Sequence, residues 1–444
     1  MDSSNLLNHR LQNVKIRDAV KEAISANFPI ESKGRVLQVK NINIPDNLRD
    51  DNFPKQKAFK LKRQTWQTPV KADLVIKDAN TNKVISEKKN VKIGSIPKLT
   101  NRFTVIIDGN EYQTTNQLRR KSGIYATVQQ NGELKSEFNL ESGKNFDIFL
   151  NPLTQIFSLV YKEKSRKYRL WTLLHHLGVS DSEMSKVWGQ KLLDINKKGA
   201  LNTEASEITS IYKILHKTDP KNFEQAVQGI RYHFSGTQVS PETTKVTLGG
   251  AYSSVTPEVL LKASAKLLSI SKGKDLPDER DSLIFKELYG VDDLLISHFK
   301  KQQPLLKSKI TRTLGLKDDV RQVISAGTFT KPIKRFFTTG DMTSTPEQTN
   351  PLKIVADWRE TTPRGTGGIT SQHQITLETR DVQPTHLGFL DPLATPESGN
   401  VGVTVSLASS TEKGKGGIVT PVIDKNGKVF KITPSEFYNS VVGM

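Results

Sequence analysis

The sequence predicts a multi-domain α+β protein, and three observations lead to this fold class. The chain has 444 residues, which is too long for one ordinary core and predicts two or three domains. The residue patterns predict strands over residues 35–125, whereas residues 190–290 read as largely helical. The stretch from Arg380 to Leu407 contains three prolines, so little of it can form regular helix.

Composition narrows the classes of partner. The formal charge of +19 and the isoelectric point near 9.7 indicate a polyanionic partner, because cations that neutralise phosphates release condensed counterions. A soluble protein with a generally basic surface is the alternative. The chain has no cysteine, which excludes disulfides and cysteine-bound zinc. No apolar run approaches about 20 residues and the amino terminus lacks a signal-peptide core, so we expect a soluble protein without a membrane partner.

The first part of the chain is predicted to begin with a helix and to continue in strands. Residues 5–27 show apolar positions at helical spacing until a proline ends the pattern. Strands are predicted over residues 66–78 and 90–93. Asp108 and Gly109 separate two apolar runs, and this dipeptide is a strong hairpin signal.

The middle of the chain is predicted to be mainly helical after one more strand at residues 146–150. Short helices are expected over residues 170–177 and 180–188. Thr256 is expected to cap a helix that opens with Pro257.

Three further stretches carry local signals. A helix is predicted over residues 292–313 with an interruption at Pro304. Asn426 and Gly427 are predicted to turn a second hairpin. Residues 161–169 carry five cations, which indicate either a solvated hairpin or a nucleic-acid contact.

Two separate parts of the sequence resemble the beta subunit of multisubunit DNA-dependent RNA polymerases. Arg380 opens an R-D-V-x-P-T-H run and Thr395 opens a T-P-E-x-x-N-x-G run, and in that family these runs form the fork region beside the active centre. Residues 94–100 and 117–123 resemble the family's G-x-I-P-x-M-T and Q-L-x-R-x-x-G blocks. The two resemblances are independent because they lie far apart in the chain.

The resemblance implies a domain order within the α+β fold. Residues 1–160 would form a β-rich protrusion, and residues 161–290 a mainly helical lobe. Residues 291–350 would return to the protrusion and form a wall facing the RNA–DNA hybrid. Residues 351–444 would form the irregular β-rich fork region and the truncated start of the hybrid-binding domain. The short lobe and the ending within this region resemble the split beta subunits of giant, phiKZ-related bacteriophages.

The resemblance also implies roles for individual side chains. Arg380, Glu397 and Asn400 would belong to the wall of the active centre. The cations expected along nucleic acid are Lys334, Arg335, Arg359, Arg364, Arg119 and Arg120. No directly catalytic residue and no metal ligand is expected in this chain. For Glu397 the alternative is a structural role, in which its carboxylate caps the backbone donors that follow it.

Five positions depart from the family pattern. Gln383, Ala394 and Ser398 change individual residues of the fork block. Glu360 replaces an arginine and Asp357 replaces a histidine in the region that forms the family's rifampicin pocket. Because a carboxylate accepts hydrogen bonds and cannot donate them when ionised, we expect the assembled enzyme to be rifampicin resistant.

The resemblance implies a polymerase subunit that is not catalytic by itself. Phosphoryl transfer needs metal ions that bridge the phosphates, and in this family Mg²⁺ is held by the beta-prime partner. The implied partners are a C-terminal beta fragment, beta-prime fragments, template DNA, the RNA transcript and nucleoside triphosphates, and a promoter-specificity factor is left open. The implied location is the cytoplasm of the infected bacterial host or the virion. The alternative function is a basic nucleic-acid-binding structural or virion protein that keeps a polymerase-derived fold without transcription activity.

Overall fold

The computed structural model describes residues 8–45, 53–161, 166–200, 203–414 and 417–441. The chain divides into two units, one formed by Met1–Arg119 together with Ser282–Met444 and the other by Arg120–Asp281. We call them the discontinuous unit and the inserted unit.

The helices, in chain order, are α1 (His9–Ser25), α2 (Phe53–Leu61), α3 (Leu170–Leu177), α4 (Asp181–Trp188), α5 (Gln190–Ala200), α6 (Glu204–His216), α7 (Phe223–Ser235), α8 (Pro241–Leu248), α9 (Pro257–Ser271), α10 (Val291–Leu314), α11 (Val320–Val323), α12 (Thr330–Thr339), α13 (Pro351–Arg359) and α14 (Pro434–Tyr438). The strands are β1 (Ile30–Ser32), β2 (Arg35–Asn43), β3 (Gln67–Asp78), β4 (Val84–Pro97), β5 (Val105–Ile107), β6 (Asn110–Thr114), β7 (Asn116–Arg120), β8 (Gly123–Val128), β9 (Leu134–Asn139), β10 (Phe146–Asn151), β11 (Ile156–Tyr161), β12 (Tyr168–Arg169), β13 (Lys286–Tyr289), β14 (Thr343–Ser344), β15 (Glu360–Thr362), β16 (Leu390–Asp391), β17 (Val405–Leu407), β18 (Glu412–Gly414), β19 (Gly417–Ile423) and β20 (Val429–Ile432). This mixture of helices and several sheets confirms the predicted α+β class.

The inserted unit packs helices against one antiparallel sheet. The strand order of this sheet is β12-β11-β10-β9-β8, and Phe138 stacks on Phe146 of the neighbouring strand at 4.3 Å between ring centroids. The predicted helix start is confirmed, because the Thr256 hydroxyl accepts a hydrogen bond from the backbone N–H of Val259. Such a cap satisfies one of the free backbone donors at a helix start.

The discontinuous unit contains a four-stranded sheet in the order β1-β2-β3-β4. Its core is shared by α1, α10 and α12, which contribute side chains such as Val20, Phe299 and Phe337. Helix α10 runs unbroken through Pro304, so the predicted interruption is wrong. Pro304 is exposed, and the carbonyl that loses its helical partner there can bond to water instead.

A second sheet of the discontinuous unit joins distant parts of the chain in the order β13-β7-β15-β17-β16. Strand β15 runs parallel to β7 and antiparallel to β17. The other two sheets have the orders β14-β6-β5 and β18-β19-β20. Strand β7 carries residues 117–120 of one resembling segment, and β17 ends the Arg380–Leu407 stretch, so this sheet joins parts of both.

Most of the other predicted elements are confirmed, with small shifts of their ends. Asp108 and Gly109 turn the β5–β6 hairpin, and Asn426 and Gly427 lie in the turn between β19 and β20. The residues from Arg380 to Leu407 form only short 3-10 turns and the two short strands β16 and β17. The predictions for residues 5–7 and for residues 162–165 of the cationic stretch lie outside the described residues.

Candidate nucleic-acid interface and active-centre wall

A glycine loop at residues 363–370 follows β15 and is held by its own backbone. The N–H of Gly365 donates to the carbonyl of Ile369 at 3.0 Å, and the N–H of Ile369 donates to the carbonyl of Pro363 at 2.8 Å. Gly365 has φ +102°, and a Cβ there would lie 2.3 Å from the sulfur of Met342. Glycine is favoured at this position because another side chain would be strained at this φ, and the Met342 side chain would also have to move.

Arg364 of this loop is joined to Asn400 of the fork block. Its Nη1 donates to Oδ1 of Asn400 at 2.6 Å. Both residues line one groove of about 460 Å³ in the discontinuous unit. The rest of its lining includes acids, hydroxyls and apolar side chains, among them Asp341, Glu360, Thr362, Met342 and Pro396. The structure thus brings together two side chains that the sequence placed at the interface and the active-centre wall.

Arg380 fixes the turn that carries Asn400. Its Nη1 donates to the carbonyl of Val401 at 2.7 Å and its Nη2 to the carbonyl of Gly399 at 3.0 Å. The backbone of Arg380 also lies against Gly402, where an added Cβ would be 2.5 Å from the Arg380 carbonyl oxygen. Two guanidinium nitrogens of Arg380 therefore donate to backbone carbonyls on either side of Asn400, and Arg380 positions that residue.

Glu397 is exposed, and its carboxylate forms no hydrogen bond or ion pair with any residue that the structure describes. The alternative in which it caps the following backbone donors stays a prediction, because the side chain of Ser398 in that turn lies outside the described residues. The carboxylate is open to a ligand or to another chain.

Arg119 lies under the glycine loop. Its Nη2 donates to the carbonyl of Thr366 at 2.9 Å, and its guanidinium carbon lies 4.1 Å from the centre of the Tyr289 ring. Burial lowers the pKa of Arg119, although an arginine side chain stays charged in proteins. A Cβ on Gly367 would lie 2.7 Å from this guanidinium. Arg119 therefore shapes the loop more than it presents charge to solvent.

Arg120 opens the inserted unit and is paired there. Its Nη1 lies 3.0 Å from Oε2 of Glu137, and its guanidinium carbon lies 5.5 Å from the Tyr125 ring centre. The positive charge of Arg120 is therefore locally compensated.

Helix α12 carries Lys334 and Arg335, which have different environments. The ammonium of Lys334 pairs with Asp108 of the β5–β6 hairpin, and this bond holds the pKa of Asp108 below its usual range. Arg335 is exposed and has no ion-pair partner among the described residues. Phe336 and Phe337 are buried, which confirms that they are core side chains and cannot stack on bases. Of Lys334 and Arg335, only Arg335 has a charge without an ion-pair partner among the described residues.

Arg359 is held by the backbone beyond β17. Its guanidinium donates to the carbonyl of Leu407 at 2.9 Å and of Ser409 at 3.1 Å, and also to that of Ala408. Burial lowers the pKa of Arg359. In this state the side chain fastens the end of α13 to β17 and has few donors left for phosphate.

The two acids that depart from the family pattern share one cation that the sequence reading missed. Lys353 Nζ lies 2.5 Å from Asp357 and 3.2 Å from Glu360. Burial raises the pKa of Glu360, while the Lys353 ammonium opposes that rise. The signal available in the sequence was the spacing of four residues between Lys353 and Asp357, which places both on one face of a helix.

No group of three or more metal-binding side chains converges within the described ranges. Within those same ranges, no helix is long and apolar enough to cross a membrane.

Comparison with known proteins places the fork block in a known class of domain. Residues 344–412 match the family described as RNA polymerase Rpb2, domain 3. The matched range contains Arg359, Arg364, Arg380, Glu397 and Asn400. Residues 94–100 and 117–123 lie outside it.

Individual relatives extend the similarity over most of the chain. The DNA-directed RNA polymerase subunit beta of Prochlorococcus marinus strain AS9601 is 26% identical over 372 residues, which cover 78% of this chain and 34% of that protein. The subunit of Synechococcus sp. strain RCC307 is 25% identical over 374 residues, with 77% and 34% covered. This chain is therefore distantly homologous to bacterial RNA polymerase beta subunits, and it spans about a third of the length of these relatives.

Proposed function

We propose that this chain is a subunit of a multisubunit DNA-directed RNA polymerase that forms one wall of the DNA and RNA cleft. The observation that carries the proposal is the joining of Arg364 to Asn400 at one groove, inside the segment that matches Rpb2 domain 3. Arg380 positions this turn, and the free carboxylate of Glu397 faces the partner or the nucleotide. The chain would act as the amino-terminal part of a split beta subunit of a giant bacteriophage.

The proposal also includes a metal ion, partner chains and a location for the assembly. Mg²⁺ would bridge phosphates and stabilise the charge that develops during nucleotidyl transfer, held by aspartates of a beta-prime-like partner. A C-terminal beta fragment would complete the subunit, and a promoter-specificity factor would join for initiation. The assembly would work in the cytoplasm of an infected bacterial host or travel in the virion.

Co-purification tests this function directly. The tagged chain is isolated from its native producing cells, its partners are identified by mass spectrometry, and the same fraction is assayed for magnesium-dependent RNA synthesis on a DNA template. We expect beta-prime-like and C-terminal beta-like chains together with RNA synthesis, and loss of synthesis when this chain is depleted. A chain recovered alone, bound to nucleic acid and inert, would overturn the proposal and favour the structural protein instead.

A further inference from the structure

Helix α10 carries an uninterrupted run of positive charge. After its first turn, residues 294–314 of the helix contain five lysines or arginines and no aspartate or glutamate. Lys301, Lys309 and Arg312 are exposed, and none of the three has an ion-pair partner among the described residues. Lys334 of α12, by contrast, pairs with Asp108. The α10 cations are uncompensated.

The apolar side of α10 is already used, which fixes the direction of the charged side. Leu295, Phe299, Leu306, Ile310 and Leu314 are buried in the core of the discontinuous unit. By helical spacing, Lys301 and Arg312 lie on the side opposite this stripe. They are separated by about 17 Å along the axis, at 1.5 Å per residue.

Helix α12 extends the same charged surface. It packs against α10 where the His298 ring lies 5.6 Å from the Phe336 ring. Arg335 and Lys331, one turn apart on α12, are exposed without an ion-pair partner in the described ranges. Burial lowers the pKa of His298, and the nearby charges of Arg335 and Lys301 lower it further. Cations of both helices therefore lie near the His298 ring.

We infer that the exposed cations of α10 and α12 form a binding surface for the phosphate backbone of double-stranded DNA. We call it the α10–α12 basic face, and its members are Lys301, Lys309, Arg312, Lys331 and Arg335. Its use during transcription rests on the proposed polymerase function. Its attraction for DNA does not depend on that function, because cations without carboxylate partners bind phosphates and release the counterions condensed on DNA.

The side chains on this face favour a duplex over a single strand. Proteins that bind single strands without sequence preference combine cations with exposed aromatic platforms. The α10–α12 basic face offers no such platform within the described residues, because Phe299, Phe336 and Phe337 are all buried. Leu305 of α10 and Leu316, which lies beyond the end of the helix, are exposed, but they lie eleven residues apart and form no continuous apolar stripe. The surface is suited to sequence-independent contact with backbone phosphates.

The test measures DNA binding by the full chain with a fluorescent duplex of random sequence across a series of salt concentrations. The variant combines Lys301→Gln, Lys309→Gln and Arg312→Gln. A matched control combines Lys191→Gln, Lys272→Gln and Lys274→Gln, which removes three exposed cations from the inserted unit. Each phosphate contact contributes about 0.9 to the slope of log K against log salt, so the α10 variant should flatten the slope by about 2 to 3.

Three results would support the inference. The α10 variant should bind duplex DNA at least tenfold more weakly at low salt, and the salt slope of the control should change by less than one unit. A variant that keeps the positive charges, with Lys301→Arg, Lys309→Arg and Arg312→Lys, should bind as the unmodified chain does. Unchanged thermal unfolding shows that the variants fold. The inference would be overturned by equal losses in both triple variants or by no loss in either. It would also be overturned by a larger loss for single-stranded DNA, or by loss of binding to polyglutamate with DNA binding intact.

Failure of this inference is distinguishable from failure of the proposed function. If the co-purified assembly makes RNA while the α10 variant keeps the normal salt slope, the surface assignment fails and the polymerase role stands. If the chain binds duplex through α10 but recruits no polymerase partner, the surface stands and the polymerase role fails.

Discussion

Arg364 donates a 2.6 Å hydrogen bond to the side-chain oxygen of Asn400, which lies 36 residues further along the chain. The bond connects the glycine loop after β15 to the turn after the fork-block prolines. Arg364 has no carboxylate partner among the described residues, so its charge is directed by an amide and is not neutralised. The two side chains are thus fixed at the groove before any ligand arrives, which lowers the entropy cost of ordering them on binding.

Removing either partner of this bond should loosen the glycine loop. We expect Arg364→Met and Asn400→Ala each to destabilise the loop by about 1 kcal/mol, with a coupling of similar size in the double variant. Hydrogen–deuterium exchange over residues 363–370 measures the loosening. Strictly additive effects would show that the two side chains do not cooperate.

Gly402 should be intolerant of a side chain for two reasons that can be separated. Its φ is +68°, and an added Cβ would lie 2.5 Å from the carbonyl oxygen of Arg380. Gly427 has a similar φ of +77° but nothing within 4 Å. We expect Gly402→Ala to lower the free energy of unfolding by about 3 kcal/mol and Gly427→Ala by about 1 kcal/mol. Equal losses in denaturant titrations would mean that the contact with Arg380 contributes nothing.

The elements that sequence predicted well are those that local chemistry determines. The Asp108–Gly109 hairpin needs positive φ at two adjacent residues, which this dipeptide tolerates, and the structure has both. Helix α9 begins where a capping threonine precedes a proline. These signals act over a few residues, so neither depends on the rest of the fold.

The sequence alone could not predict which groups the charged side chains contact. Lys334 and Asp108 are 226 residues apart, and Arg359 bonds to carbonyls 48 to 50 residues away. No local pattern specifies such pairs, because they depend on how α12 and β17 pack. The cation run in α10 was visible in the sequence, yet only the structure shows which face is buried. For the same reason, the sequence predicts that Arg359 contacts nucleic acid and does not show that backbone carbonyls bind its guanidinium.

Acidification should destabilise the inserted unit through His233. Burial, together with the charges of His216 and Lys144, lowers the pKa of His233. Below the ordinary histidine value of about 6.5 the unfolded chain therefore binds more protons than the folded chain, so stability is full above that pH and falls as the pH drops. Thermal unfolding between about pH 7.5 and about pH 5.5 measures this loss.

The variant His233→Gln should flatten that pH dependence in part. The remaining slope has other sources, since burial also lowers the pKa of His176 in the same unit. His373→Gln, which removes an exposed histidine of the discontinuous unit, serves as the control and should leave the slope unchanged. A slope that His233→Gln does not alter would remove His233 as a source.

Glu397→Gln should slow nucleotide addition in the assembled enzyme while leaving assembly intact. The carboxylate is exposed and makes no bond with the described residues, so the exchange removes charge without breaking a fold contact. We expect a reduction of about tenfold in the elongation rate, corresponding to about 1.4 kcal/mol of transition-state stabilisation. Elongation at the normal rate would end the active-centre assignment of Glu397, and failure to assemble would indicate a subunit contact instead.

Rifampicin should not inhibit RNA synthesis by the assembled enzyme at concentrations that stop a sensitive bacterial polymerase. Glu360 lines the groove and stands where the resemblance implies an arginine, so a hydroxylated ligand would meet an acceptor in place of a donor. Lys353 pairs with both Glu360 and Asp357, so its ammonium is occupied and its single charge offsets only part of theirs. The double variant Asp357→His and Glu360→Arg should restore part of the sensitivity, whereas Glu347→Arg, at an exposed site, should not. Inhibition of the unmodified enzyme at low drug concentration would contradict the expectation.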